Sequence, residues 1–348
     1  MAAPNRDCSE RPLTGQFLLT CWLLIGLFAL FGCEAPSSAT QLRLGHSLDT
    51  QHPVHLAMVH MQARLTELSG GTLELAIYPN SQLGNERELI ELLQIGSLAM
   101  TKVSASPLEG FVPAMGLFNI PYLFDDRKHF FRVLDSDLGQ TLLVETEKVG
   151  LRGLTYYDAG ARSFYTNNRP VNSPSDLEGL KIRVQESATA MSMVSALGAS
   201  PTPIAWGELY TALQQGVVDG AENNPPSYHL SRHFEVSGYY SLDEHTAVPD
   251  VLLISQFVWE RLSPQEQNWL QQAAQESSKL QRALWSQAEL DALTLVRQHG
   301  ATIIYPDKEA FRERVVNMHR DLIQGPLGFF IQQVRSMSSM ESKQGMAK

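Results

Sequence analysis

Between Leu42 and Gly96 the hydrophobic pattern changes period three times, and this alternation constrains the fold more than any other feature of the chain. Leu42-Arg-Leu-Gly-His46 reads as a short strand. Val54, Met58, Met61, Leu65 and Leu68 then recur at helical spacing behind Pro53, a residue suited to the first helical position, and Gly70-Gly71 ends the run. Thr72 to Tyr78 alternates as a second strand, and Glu86 to Gln94 returns to the helical period before Gly96. Strand, helix, strand, helix predicts an α/β body built on a largely parallel sheet.

The same order returns later. Gly150 to Tyr157 and Leu180 to Val184 read as strands, Ala188 to Leu197 and Trp206 to Gln215 as helices, with turn chemistry at Asn172-Ser-Pro-Ser-Asp176. A second α/β unit therefore begins near residue 160, as a length of 348 residues allows. Ser263-Pro264-Gln265-Glu266 opens a long helix, with a cap, a proline and a first-turn acid. Its apolar face runs from Leu270 to Leu295, and at about 1.5 Å per residue it reaches roughly 50 Å, enough to cross two domains. A helix from Lys308 to about Leu322 follows Pro306, and the Ser/Met/Lys-rich tail at 336–348 is expected to be disordered.

The first segment is of another kind. From Phe17 to Gly32 no residue is charged, a run short for a bilayer span but suited to a signal-peptide core, so residues 1–32 read as an export signal. All three cysteines, Cys8, Cys21 and Cys33, lie in or beside it. Leu30-Phe-Gly-Cys33 resembles a bacterial lipobox, which makes Cys33 the expected lipidation site; an ordinary cleaved signal or an uncleaved anchor are the alternatives. The exported chain then has no thiol for disulfides or cysteine catalysis. A net charge of -10 argues against nucleic acid as a partner, and an acid bound by such a protein must be held by local arginines.

Arg162 and Arg183 supply them. Arg183 lies in the alternating strand Leu180-Lys-Ile-Arg-Val184, either on a solvated face with Lys181 or placed to grip a carboxylate in two-pronged fashion. Arg162 follows the small residues Ala159-Gly-Ala161, which permit close approach, and is otherwise a surface arginine. Asn223 and Asn224 stand between an Asp-Gly turn and Pro225-Pro226; Trp206 at a helix start is either a core aromatic or a flat wall for a ring-shaped ligand; His46 ends the first strand, where α/β folds present ligand contacts. Neither Gly-x-Ser-x-Gly, His-Glu-x-x-His nor a phosphate loop occurs, and His52, His55 and His60 lack a nearby carboxylate for a metal site. Binding without a metal or cofactor is the expected class.

Taken in order, Gly160-x-Arg162, Asp176-Leu-Glu-Gly-Leu-Lys-Ile-Arg183-Val, Leu197-Gly-Ala-Ser-Pro-Thr-Pro203, Glu208-Leu-Tyr-Thr-Ala-Leu-Gln-Gln-Gly216 and Val218-Asp-Gly-Ala-Glu-Asn223 resemble the solute receptors of tripartite ATP-independent periplasmic (TRAP) transporters. Tyr78-Pro-Asn-Ser-Gln-Leu-Gly84 and Ile120-Pro-Tyr-Leu-Phe124 are similar to that family as well. The resemblance implies two α/β lobes closing on an organic acid and crossed by the long helix: residues 40–159 and 249–288 in the first lobe, 160–248 and 289–335 in the second. It implies that Arg183 pairs with the ligand carboxylate, helped by Arg162 and Asn223, with Trp206 lining the site, and that membrane permease subunits receive the ligand in the periplasm. The runs Arg183-Val-Gln-Glu-Ser187, Glu222-Asn-Asn-Pro-Pro-Ser-Tyr228 and Tyr239-Tyr-Ser-Leu-Asp-Glu-His245 look most like the hexuronate branch. Glu86 and His46 would then accept from sugar hydroxyls. The runner-up is a C4-dicarboxylate, which would want a second cation, Lys102 or Arg87, or another hydroxy acid; the competing classes are a periplasmic enzyme on acidic sugars, using a pair such as Glu208 and Asp219, and a ligand-sensing subunit with the same fold. Connections near 157–160 and 247–251 are the expected hinges.

Overall fold

The computed structural model describes residues 39–345, with side chains through residue 338; the apolar N-terminal run and Cys33 lie outside the described residues. The strands are β1 (Thr40–Gly45), β2 (Leu73–Tyr78), β3 (Met100–Ser104), β4 (Leu151–Tyr157), β5 (Ala161–Thr166), β6 (Lys181–Val184), β7 (Ser200–Pro203), β8 (Gly220–Asn223), β9 (Tyr239–Ala247), β10 (Asp250–Ser255) and β11 (Thr302–Ile304). They form two sheets, ordered β2-β1-β3-β10-β4 and β11-β9-β5-β8-β6-β7. The first expected units, β1, helix Pro53–Ser69, β2, helix Glu86–Gln94 and β3, give three parallel strands. The largely parallel sheet is corrected, however: β10 is antiparallel to both β3 and β4, and β5 is antiparallel to both β8 and β9. These strands enter their sheets from the opposite lobe, a direction that local sequence does not carry.

Burial explains the layers. β3 and β10 are buried along their whole length, as central strands covered on both faces are. One face of the first sheet packs Leu44, Met58, Met61, Leu65 and Trp285, and the other packs Leu89, Leu93, Leu117, Phe118 and Phe130. In the second lobe Phe164, Ile182, Val184 and Phe311 form one core and Tyr165, Leu213, Tyr228 and Tyr240 another. Each such side chain contributes about 1.5–3 kcal/mol by leaving water.

The chain passes from strand to strand between the sheets twice, at Asp158–Gly160 and at Val248–Pro249, the segments read as hinges. The 35-residue helix Pro264–Gln298 makes the third connection, with Leu270, Ala273, Ala274 and Trp285 in the first lobe's core and Val296 in the second's. Its start is as read: Ser263 and Glu266 form a reciprocal capping box. Mid-helix, it holds the first crossover. Gln281 Oε1 accepts from Asp158 N and Gln281 Nε2 donates to Asp158 O, both at 2.8 Å, and Ser278 Oγ donates to Tyr156 O. Gly160 adopts φ +60, and a Cβ there would stand 2.8 Å from Trp285 Nε1. Gly160→Ala is therefore expected to cost about 1–3 kcal/mol, read as a lowered calorimetric midpoint; an unchanged midpoint would show that neither the positive φ nor the contact constrains this crossover.

Two further expectations are corrected. The helix predicted from Lys308 breaks at Val315 into Lys308–Arg314 and Val316–Gln324. The tail predicted to be disordered from Ser336 is instead helical through Gly345, as part of Gly328–Gly345. Leu327, Ile331 and Val334 bury one face of this helix in the first lobe's core, so residues 327–335 do not belong with the second lobe. His129 Nε2 lies 3.0 Å from Val334 O and Arg132 Nη1 donates to Met337 O, tying the helix to Arg127–Leu134.

Candidate functional site

A cleft lies where the two lobes meet. The first lobe lines it with Ser47, Leu48, His52, Glu86, Lys102, Ser104 and Asp250, the second with Arg162, Gln185, Trp206, Asn223, Asn224 and Ser227. Arg183 stands at its adjoining end with Glu86, Gln185 and Trp206. Ser104 Oγ donates to Gln185 Oε1 at 3.2 Å across the cleft, and Ser187 and Thr189 donate to Glu109 from the opposite lobe. The lobes are thus closed on each other.

Arg183 is buried, not on a solvated face, because its side chain turns into the closed cleft beside Ile204, Trp206 and Glu86. Its Nε donates to Ile204 O at 2.8 Å, and its guanidinium carbon lies 5.8 Å from the Trp206 ring centroid. Its Nη1 is buried without a hydrogen-bond partner, and none of the ion pairs among the described residues involves it. Burial lowers its pKa, opposed by Tyr165 and Glu222. A buried guanidinium left in this way is costly to the empty protein and suited to an anion.

Arg162 is already paired. Nε and Nη2 grip the Glu222 carboxylate, Nη2 also reaches Glu222 O, and Nη1 donates to Asn223 Oδ1 at 3.0 Å, leaving one of its five N–H groups for the cleft. Asn223 Oδ1 accepts from Asn224 N as well, so its NH2 is the part left for a ligand. Asn224 caps helix Pro225–Leu230 through Oδ1 to Ser227 N, so the turn reading and the cleft position both hold. Trp206 is half-buried, with its ring 5.1 Å from that of His233.

On the first lobe's wall, Lys102 Nζ sits 3.3 Å from Glu86 Oε1 and 3.0 Å from Asp250 Oδ2. Glu86 also accepts from Ser104 N. Burial would lower the Lys102 pKa, but Asp250 and Glu86 raise it; burial raises that of Asp250. Arg87 is half exposed and faces Glu91 and Glu186. Neither cation is left over for a second ligand carboxylate.

His46 does not line the cleft. Fully buried, it accepts from Leu48 N at Nδ1, and its Nε2 lies 3.0 Å from His55 Nδ1; burial, with Lys102 nearby, lowers its pKa to about 2. His52 takes the place expected of it. It caps helix Pro53–Ser69 by accepting from Val54 N, and its Nε2 reaches Ser227 Oγ at 3.4 Å. His52, Asp250 and Gln185 escaped the sequence reading. The available signals were a histidine directly before a helix-opening proline and an acid heading the apolar run Val251-Leu-Leu-Ile254. Glu208 is exposed and Asp219 accepts from Lys181 N; neither lines the cleft, so the carboxylate pair suggested for an enzyme is not assembled.

Behind Arg162 the charges continue inward. Burial would lower the His245 pKa, but Asp243, 2.8 Å from Nδ1, and Glu222, 3.6 Å from Nε2, raise it to about 9. Glu222, raised by burial but dominated by Arg162 and His245, falls to about 2. The signs set a stability profile. His245, raised above its unfolded value, stabilises fully below about pH 6.5 and loses that contribution as pH rises through 9. His52 and His233, lowered by burial to about 3, stabilise above pH 6.5 and lose this as pH falls towards 3. Thermal midpoints are expected to peak near pH 6.5, and His245→Gln should flatten the alkaline slope; an unaltered slope would place the titration elsewhere.

Residues 44–325 match the model of bacterial extracellular solute-binding protein family 7, DctP. A TRAP periplasmic solute-binding protein from Bradyrhizobium sp. BTAi1, in complex with α/β-D-galacturonate, is 39% identical with a TM-score of 0.83, covering 85% of this chain and 99% of that one. Its counterpart from Chromohalobacter salexigens, with bound D-glucuronate, is 31% identical with a TM-score of 0.83 and the same coverage. One from Polaromonas sp. JS666, bound to D-erythronate, is 32% identical with a TM-score of 0.83, covering 85% and 98%. A two-lobed fold, a closed cleft and a buried unpaired arginine therefore coincide with a match over most of the chain, and the protein belongs to family 7 of the bacterial extracellular solute-binding proteins, the DctP-type receptors of TRAP transporters.

Proposed function

We propose that this receptor binds a hexuronate, D-galacturonate or D-glucuronate, and hands it unaltered to TRAP permease subunits in the membrane. The observation that carries the reading is the buried, unpartnered Nη1 of Arg183, where a single carboxylate completes the guanidinium's hydrogen bonds. Trp206 offers a flat wall to a pyranose ring, and Asn223, Asn224, Gln185, Glu86 and Asp250 offer amides and carboxylates to hydroxyls. Arg162 acts from behind, with its one remaining N–H and its hold on Asn223. His46 serves by packing rather than contact. The receptor works in the periplasm, tethered through a lipid on Cys33, and lobe closure about the two crossovers completes the site.

The galacturonate and glucuronate complexes of similar proteins support this choice, and the erythronate complex of a third favours a shorter hydroxy acid as second reading. A C4-dicarboxylate is disfavoured because Lys102 and Arg87 already face carboxylates. A thermal-shift panel of uronates, aldonates, C4-dicarboxylates and sialic acid tests it. At a hundredfold excess over its Kd a true ligand adds about 2.7 kcal/mol, a shift of roughly 5–10 °C. A shift with succinate or malate and none with either uronate would overturn the hexuronate reading.

A further inference from the structure

The environment of Lys102 goes beyond accepting hydroxyls. Its side chain is 2% exposed and its ammonium lies within 3.3 Å of two carboxylates, those of Glu86 and Asp250, which come from a helix start and a strand start far apart in the chain. With two acids to one base, this wall of the cleft is net negative and faces a wall where Arg162 is matched by Glu222. We propose, building on the hexuronate reading, that Glu86 and Asp250 are the specificity determinants of the cleft: enclosing Lys102, they admit sugar acids with one carboxylate and repel those with two.

The argument is one of placement. A ligand carboxylate on Arg183 extends the rest of the molecule towards Glu86, which borders both ends of the cleft. A hydroxyl arriving there donates to Glu86 or Asp250. A second carboxylate has no proton to donate and meets like charge at close range in a site with little water, which is discrimination by repulsion. Lys102 relieves this only in part, since its single charge and two of its three N–H groups are already set against two protein carboxylates. It also keeps the two acids from unbalancing the empty fold, so either acid can be replaced by its amide while the other still pairs.

Calorimetric titration of the exported chain with D-galacturonate and with galactarate, the corresponding dicarboxylate, tests this in wild type, Asp250→Asn and Glu86→Gln. Wild type is expected to prefer galacturonate by about 100-fold or more. Each variant should narrow that ratio by about tenfold or more, because one repelling charge becomes a neutral hydrogen-bonding group. Thermal melts identify the folded variants, and the change of the ratio in a folded variant decides, since open-chain galactarate differs from the pyranose in shape as well as in charge. Comparable affinity of wild type for both acids, or a ratio unmoved in a folded variant, overturns the proposal while leaving uronate binding intact. Absence of wild-type binding to both D-galacturonate and D-glucuronate would instead remove the hexuronate reading, and this inference with it.

Discussion

In an Arg183→Ala variant, hexuronate affinity is expected to fall by about 2–5 kcal/mol, or roughly 30- to several-thousand-fold, while the ligand-free protein melts no lower than wild type. The two halves have one cause. In the closed structure the Arg183 guanidinium is buried with a single bond, Nε to Ile204 O, and no protein carboxylate as partner, so its removal costs the fold no ion pair. In the proposed complex the same group forms the ligand's ion pair, and its loss would leave the carboxylate desolvated and unmatched. Arg183→Lys should recover only part of the affinity, since an ammonium cannot offer two parallel N–H groups. Titration and melting of the same preparations check both halves; full affinity in the alanine variant, or a strongly lowered midpoint without ligand, would show that Arg183 is structural.

Glu222→Ala is expected to do the opposite, lowering the midpoint by about 3–5 kcal/mol of stability, on the order of ten degrees. Glu222 is buried and balances two cations at once, Arg162 through both carboxylate oxygens and protonated His245 at 3.6 Å. Its removal leaves Arg162 without its counter-charge and His245 with Asp243 alone, and it loosens the arginine that holds Asn223. Replacing Arg162 and Glu222 together by methionine should cost less than the sum of the single losses, because no charge of that pair remains. Additive losses would show that the two residues do not act as a pair.

These contrasting roles explain how much of the site was legible. The strand pattern around Arg183 and the small residues before Arg162 mark them as unusual arginines, and the family resemblance ranks them together. Which one is already neutralised depends on β5 and β8 pairing so that Arg162 and Glu222 meet, sixty residues apart. The choice between His46 and His52 was likewise beyond local reading. Both flank the turn after β1, and the backbone direction there buries one against His55 and turns the other towards Ser227. Lys102 is a lone base in a strand buried along its whole length, and its meaning needed Asp250 from β10 beside it.

For the fold, periodicity and capping residues were enough for the first helices and for the long helix, whose Ser263-Pro264 opening and apolar face are local properties. Strand direction was not, since β10 returns from the other lobe after some hundred residues. The last helix shows a composition-based boundary set too early: its anchor precedes the Ser/Met-rich stretch, where Leu327, Ile331 and Val334 share the core of Phe130 and Val133, and Met337 continues that contact into the stretch read as disordered.

The most direct measurement is a crystal structure of the exported chain grown with D-galacturonate. The account predicts the ligand carboxylate within hydrogen-bond distance of Arg183 Nη1, the ring against Trp206 and the distal hydroxyls on the Glu86 and Asp250 side. A carboxylate seated on Lys102 or Arg87 instead, with Arg183 Nη1 still unpartnered, would contradict it.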